Sequence, residues 1–133
     1  MKPGRELDAL VAEKVFGAKK ITQDARGLLR ADIDLYTPCC PCMEDRMSRE
    51  DFRDVPEYST DIAIAWEVVE KLRSIPGMDL DVSWDGGRWL VNLGIYRKDE
   101  RGYLNLDYDS VQEEEGETAP HAICLAALKA VGA

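Results

Sequence analysis

The fold is decided by residues 80–93, Leu80-Asp81-Val82-Ser83-Trp84-Asp85-Gly86-Gly87-Arg88-Trp89-Leu90-Val91-Asn92-Leu93. On both sides of Gly86-Gly87, apolar residues recur at every second position, which is typical of strands that bury one face. Two adjacent glycines can adopt the positive φ angles that a two-residue hairpin turn requires. This loop makes Asp85 face Arg88, and it makes three apolar pairs face each other: Trp84 with Trp89, Val82 with Val91, and Leu80 with Leu93. The stretch therefore predicts a hairpin in this register, because all six apolar residues then share one face.

A third strand and a helix are predicted after the hairpin. Residues 97–102 form a polar turn, and Leu104, Leu106 and Tyr108 alternate as a strand. The acidic residues 112–117 predict a mobile loop, and we expect the whole acidic segment 107–117 to be solvated. Thr118 then caps a final helix, with Pro120 in the first turn, where its missing amide costs nothing.

Another helix is predicted immediately before the hairpin. Ser59 or Thr60 can cap it, and Pro76-Gly77 ends it. Its apolar positions recur at helical spacing, which predicts a buried stripe. The stripe consists of Ile62, Ala65, Trp66, Val69 and Leu72.

The first half of the chain gives weaker signals. Residues 5–17 predict an amphipathic helix with Leu7, Leu10, Val11 and Val15 on one face. Residues 31–36 alternate as a short strand, and the charged stretch that follows predicts a long surface loop. We therefore expect one α+β domain over residues 1–133, with a mainly antiparallel three-stranded meander, one additional strand and about three helices.

Composition excludes several classes of protein. The chain has 133 residues, with 17 Lys and Arg against 26 Asp and Glu, a formal net charge of -9. An acidic surface repels the phosphates of nucleic acids, so we expect no nucleic-acid partner. No apolar run approaches the ~20 residues that a membrane span needs, and the first residues lack the apolar core of a signal peptide. We therefore expect a cytoplasmic protein that does not bind membranes.

Three segments carry a resemblance to a known family. They are residues 3–17 (PGRELDALVAEKVFG), residues 58–71 with Tyr58-Ser59-Thr60-Asp61 and Ala65-Trp66-Glu67, and residues 118–128, which begin Thr118-Ala119-Pro120-His121. Together with the hairpin, they resemble the phage ABA-sandwich domain proteins, a family of small bacteriophage and prophage proteins. The resemblance implies a three-layer α/β/α sandwich and a phage or prophage origin, and it brings no catalytic residues with it.

Two groups of residues are candidates for binding a small ligand. The first stands at a predicted helix start, where hydroxyls can meet a phosphate or ribose and a tyrosine can stack on a base. The second consists of cations and a tryptophan of the hairpin. The candidates are Tyr58, Ser59, Thr60, Arg88, Trp89, Arg97 and Lys98. The alternatives are a capped helix, tryptophans in the core, and solvated turn cations, including Arg101, that pair with nearby carboxylates.

The cysteines raise the question of a metal. Cys39, Cys40 and Cys42 with His121 or Cys124 offer ligand types that suit zinc, but the spacing lacks paired Cys-x-x-Cys knuckles. We favour reduced thiols and predict neither a metal nor a cofactor.

The functional hypothesis follows by analogy. Some phage proteins of other folds bind nucleotide signals of bacterial immunity, so we expect a non-enzymatic protein that sequesters such a ligand, in a homo-oligomer that covers the sheet edge. One alternative is a protein-binding inhibitor that uses residues 39–57 and the acidic surface against a basic host protein. The other is a hydrolase of the same signals, which the single histidine and the lack of an activated nucleophile disfavour.

Overall fold

The computed structural model describes residues 1–23, 26, 28–32 and 52–132. They form three helices and six strands. The elements are α1 (Arg5–Lys14), β1 (Lys19–Gln23), β2 (Leu29–Asp32), β3 (Phe52–Asp54), α2 (Ile62–Arg73), β4 (Met78–Asp85), β5 (Arg88–Lys98), β6 (Leu104–Gly116) and α3 (Ala119–Ala130). None of these helices is long and apolar enough to span a membrane.

The hairpin of β4 and β5 confirms the predicted register. Asp85 faces Arg88, and Trp84 faces Trp89. The other two predicted pairs, Val82 with Val91 and Leu80 with Leu93, are also present. Gly86 and Gly87 both have positive φ angles, 61° and 102°, as the two-residue turn requires.

Strand β6 is longer than predicted. It runs from Leu104 to Gly116 and pairs antiparallel with β5 along most of its length, with an irregularity between Leu93 and Ile95. The prediction of a mobile acidic loop over residues 112–117 is wrong. Glutamates at alternate positions face solvent, and the backbone completes the sheet. The acidic composition therefore belongs to a strand that exposes one face, not to a loop.

The second sheet is also antiparallel, in the order β1-β2-β3. It contains part of the predicted strand, because β2 ends at Asp32, and residues 33–36 lie outside the described residues. Strand β1 was not predicted, and β3 falls within the segment predicted as a loop. Residues 39–51 of that segment also lie outside the described residues.

One apolar core joins the helices to both sheets. Leu7 and Val11 of α1, Leu72 of α2 and Ile123 of α3 are each 0–1% exposed and belong to the same cluster as Val91 of the meander. Helix α3 lies against β5 and β6, with α1 and α2 packed beside it. The predicted α+β sandwich, with its antiparallel meander and three helices, is confirmed.

The buried stripe of α2 is rotated from its predicted position. Ala65, Val68, Val69 and Leu72 are buried, whereas Ile62 and Trp66 are 52% and 49% exposed. The helix is also capped one residue later than predicted, because the Asp61 carboxylate accepts hydrogen bonds from the amides of Ala63 and Ile64. The prediction that Trp66 is a core residue is therefore wrong.

The start of α3 confirms the predicted cap. The Thr118 hydroxyl accepts a hydrogen bond from the amide of His121, and Pro120 lies in the first turn. Gly116 ends β6 directly beneath this turn, where a Cβ atom would lie 2.6 Å from the backbone nitrogen of Ala122. Helix and strand therefore approach each other here as closely as a glycine permits.

Candidate ligand-binding site

Two of the predicted ligand residues, Tyr58 and Ser59, lie in the protein interior. Both are 0% exposed. The Ser59 amide and hydroxyl donate hydrogen bonds to the Asp8 carboxylate at 2.8 and 2.6 Å, and Arg5 donates to the other oxygen of Asp8 at 3.0 Å. Arg5 also donates to the carbonyl of Val55. These contacts tie α1 to the segment before α2, so Ser59 has a structural partner and does not face a ligand.

Tyr58 packs in the core as an aromatic side chain. Its ring stacks on Phe16 with centroids 5.0 Å apart. The hydroxyl is buried and has no hydrogen-bond partner within the described part of the chain. Burial, with smaller contributions from Glu67, Cys124 and Asp8, raises the pKa of Tyr58 above its usual value. The prediction that Tyr58 stacks on a ligand is not compatible with this position.

Replacing Tyr58 with phenylalanine should therefore leave the protein as stable or make it more stable by about 1 kcal/mol, because the buried hydroxyl is unpartnered. The variant should also lose less stability at alkaline pH. A group whose pKa is raised on folding stabilises the native state below its unfolded pKa, and that contribution decreases as the pH rises toward the folded pKa.

Urea denaturation of both proteins from pH 7 to pH 11 measures the two effects. Burial also raises the pKa of the Cys124 thiol to about 12, so this thiol too lowers stability as the pH rises. Its effect is the same in both proteins. A Tyr58→Phe protein clearly less stable at pH 7 would show that the hydroxyl has a partner.

The predicted cations lie at opposite ends of β5. Arg88 begins the strand and pairs with Glu115, whereas Arg97 near its end pairs with Asp107 at 2.9 Å. Arg97 follows Arg88 by nine positions along the strand, which corresponds to about 30 Å. Lys98 and Thr60 are exposed, and Lys98 lies at the Arg97 end. The structure therefore does not bring the seven predicted residues into one site.

A cleft opens at the Arg88 end of the sheet, beside the start of α3. Its volume is about 250 Å³. The lining residues come from the hairpin turn, the end of β6 and the first turn of α3. They are Gly87, Arg88, Glu115, Gly116, Glu117 and His121. We call this the α3 cleft.

Two features of the α3 cleft attract an anion, although the carboxylates of Glu115 and Glu117 also line it. The Arg88 guanidinium and the positive end of the α3 dipole both attract negative charge. Glu115 holds Arg88, but both side chains are more than half exposed, and such a pair contributes only about 0–1 kcal/mol. An anionic ligand can therefore take the place of Glu115 at little cost.

His121 closes the inner side of the α3 cleft. It is only 8% exposed. Its Nδ1 accepts a hydrogen bond from the amide of Glu117 at 3.4 Å, so Nε2 carries the proton and donates to the carbonyl of Met1 at 2.7 Å. Sequence reasoning did not select His121, Gly116 or Glu117 as ligand residues. The one indication of this site in the sequence was the single histidine, His121, in the first turn of a capped helix.

Two tryptophans stand at the same end of the sheet. Trp89 pairs with Gly116 across β5 and β6, and it packs edge-on against Trp84 with centroids 5.3 Å apart. Trp89 is partly buried against the core, and Trp84 is 57% exposed. Trp84 therefore presents an aromatic surface two strands away from the wall of the α3 cleft.

The residues of the zinc hypothesis are only partly described. Cys124 is fully buried in α3, and Cys39, Cys40 and Cys42 lie outside the described residues. Among the described residues, no group of three or more His, Cys, Asp or Glu side chains is arranged to hold a metal.

Comparison with known proteins identifies the family. The model of the phage ABA sandwich domain matches residues 9–128. A solved structure with a similar fold is a phage protein from Bacillus cereus ATCC 14579, with a TM-score of 0.57 and 24% sequence identity over 100% of this chain and 90% of the other. No curated protein matches the chain. With the matched domain covering nearly the whole sequence, the chain belongs to the phage ABA sandwich domain family.

Proposed function

We propose that this protein is a non-enzymatic, phage-type host-interaction protein that binds and sequesters a small nucleotide-like ligand, a nucleotide-derived signal of bacterial immunity. It acts in the cytoplasm of the host cell, without a cofactor. The proposal includes a homo-oligomer, because a three-stranded meander leaves strand edges to be covered.

The observation that supports the proposal is the composition of the α3 cleft. Arg88 can form charge-assisted hydrogen bonds with a phosphate at the positive end of α3. Trp84 offers an exposed ring at the same end of the sheet, and base–aromatic stacking contributes about 1–3 kcal/mol per base. The cation in the cleft and the exposed ring at the same end of the sheet correspond to the phosphate and the base of a nucleotide.

The proposal predicts that cyclic nucleotides or cyclic ADP-ribose isomers are withdrawn from solution and returned intact. Each compound is incubated with the protein, the free compound is measured after filtration, and the mixture is then heated to release what was bound. Depletion followed by intact recovery supports sequestration. An altered product would support the hydrolase alternative, and no depletion of any compound would contradict the proposal.

Matched arginine variants locate the binding. Arg88→Ala should weaken binding about tenfold to a hundredfold, because a hydrogen bond to a charged group contributes about 1.5–3 kcal/mol. Arg97→Ala removes the same side chain from an ion pair at the far end of β5, and it should bind like the unmodified protein. Equal affinity in the two variants would place the ligand away from the α3 cleft.

One observation favours a second candidate function, a protein-binding inhibitor. Asp81, Asn92 and Glu113 lie in one row across the meander, on the face opposite Val91 and Leu93. The two carboxylates are exposed and form no ion pair within the described residues. Such an acidic face suits a basic host protein. If this function is right, the unmodified protein should retain a basic partner that the double variant Asp81→Asn, Glu113→Gln does not retain.

A further inference from the structure

A larger cavity, separate from the α3 cleft, lies between α1 and α3. Its volume is about 540 Å³, within the usual range of about 300–1,000 Å³ for small-molecule sites. Four apolar side chains line it: Met1, Leu10, Leu125 and Leu128. We call it the α1–α3 groove.

The groove exists because α3 is apolar over more than the face that it buries against the sheet. Ile123, Ala126 and Ala127 are 0–1% exposed in the core. Leu125 stands outside that face and is only partly buried, as is Leu10 on the neighbouring helix. These leucines form a concave apolar surface that the described residues leave uncovered. Concave, mostly apolar surfaces of this volume are typical sites for small ligands.

Charged groups at the groove are arranged at its rim. Lys14 and Lys129 both line it, and Glu114 is the one carboxylate among its lining residues. Lys129 pairs with Glu114, and Lys14 approaches its neighbour Glu13 at 3.6 Å. Lys14 and Glu13 are both about half exposed, and such a pair contributes only about 0–1 kcal/mol. Glu114 is only 17% exposed and keeps its contact with Lys129. An anionic group can therefore bind Lys14 at little cost and share Lys129 with Glu114.

The lining of the groove is cationic overall. Lys14 and Lys129 against Glu114 give it a net charge of +1, although the whole chain carries -9. An apolar floor with a cationic rim matches a ligand that has a hydrocarbon body and an anionic head.

We propose that the α1–α3 groove binds a free amphiphile with a single hydrocarbon chain and an anionic head group, such as a long-chain carboxylate. The chain lies on Leu10, Leu125 and Leu128, and the head group meets Lys14 and Lys129. This site is independent of the α3 cleft, so either site can fail its test without affecting the other.

Titration calorimetry with sodium dodecanoate below its micelle concentration tests the proposal, with dodecanol as the uncharged analogue. We expect one dodecanoate per chain and about tenfold weaker binding in the double variant Lys14→Gln, Lys129→Gln. The matched control is Lys71→Gln, which changes an exposed lysine of α2 and should bind dodecanoate like the unmodified protein. Dodecanol should bind equally to all three proteins, because it lacks the charge.

A substitution in the floor provides a second arm. Leu125→Gln should abolish binding of both compounds, whereas Ile62→Gln, which alters an exposed side chain of α2, should leave it unchanged. Thermal unfolding shows whether each variant is folded. If Leu125→Gln does not fold, the lysine variants still test the proposal. Three results would overturn the proposal. They are undetectable dodecanoate binding, dodecanoate binding that is unchanged in the double lysine variant, and binding to phosphatidylglycerol vesicles without binding to free dodecanoate.

Discussion

Replacing Asp8 with alanine is expected to lower the free energy of unfolding by about 3–5 kcal/mol, as is typical when one partner is removed from a buried charged network. The Asp8 carboxylate is 1% exposed and accepts three hydrogen bonds, two from Ser59 and one from Arg5. Alanine would leave the buried amide and hydroxyl of Ser59 without this acceptor. It would also remove the buried hydrogen bonds by which Asp8 connects α1 to the segment that leads into α2. Urea denaturation measures the loss.

Two further variants separate this effect from a general effect on α1. Glu6 is exposed in the same turn, and Glu6→Ala should change stability by no more than about 0.5 kcal/mol. Ser59→Ala removes the hydrogen bonds of the hydroxyl to Asp8 and Gly4 but keeps the amide contact, and it should cost about 1–3 kcal/mol. An Asp8→Ala protein as stable as Glu6→Ala would show that the network does not hold the two segments together.

The second large effect is expected at Gly116. A Cβ atom there would lie 2.6 Å from the backbone nitrogen of Ala122 and 3.0 Å from its Cα. Backbone atoms cannot rotate away, so Gly116→Ala must push α3 off the end of β6. Overpacking costs about 1–3 kcal/mol when side chains can adjust, and we expect about 3 kcal/mol or more here. Thermal and urea denaturation measure the change.

Gly94 is the matched control in the neighbouring strand. A Cβ atom at Gly94 would meet the end of the Leu106 side chain at 2.8 Å, and that side chain can change rotamer. Gly94→Ala should therefore cost clearly less than Gly116→Ala. Because Gly116 also lines the α3 cleft, its variant should lose ligand binding as well. Equal stability of the two variants would contradict the close packing of α3 on β6.

The hairpin was predictable because its signals are local. Gly86-Gly87 determines the turn, and the two-residue alternation on either side determines the register. The α3 cap was predictable for the same reason, since Thr118 and Pro120 act within one turn of the helix.

The rotation of α2 and the length of β6 could not be predicted in this way. Ile62 and Trp66 are apolar and sit at helical spacing, but the face that is buried depends on β4 and on α3, and α3 lies far along the chain. In β6, Glu114 faces the helices and pairs with Lys129, so even the inward positions are polar. An acidic strand of this kind leaves no apolar alternation to detect.

The candidate site depends on contacts between distant residues. Ser59 was selected for its hydroxyl at a helix start, but its partner Asp8 lies 51 residues earlier. Arg88 was selected as a hairpin cation, and only the fold shows that His121 and Gly116 stand beside it. Residue types predicted an anion site at the hairpin, and only the structure shows that the hairpin end and the start of α3 form one cleft.

The proposed binding of an anionic, nucleotide-like ligand in the α3 cleft can be observed residue by residue. The experiment records backbone amide chemical shifts while the protein is titrated with cyclic nucleotides and cyclic ADP-ribose isomers. We expect at least one compound to give its largest shifts at Gly87, Arg88, Gly116, Glu117 and His121, with little change around Arg97. Largest shifts at the Arg97 end of β5, or no shifts with any compound, would contradict it.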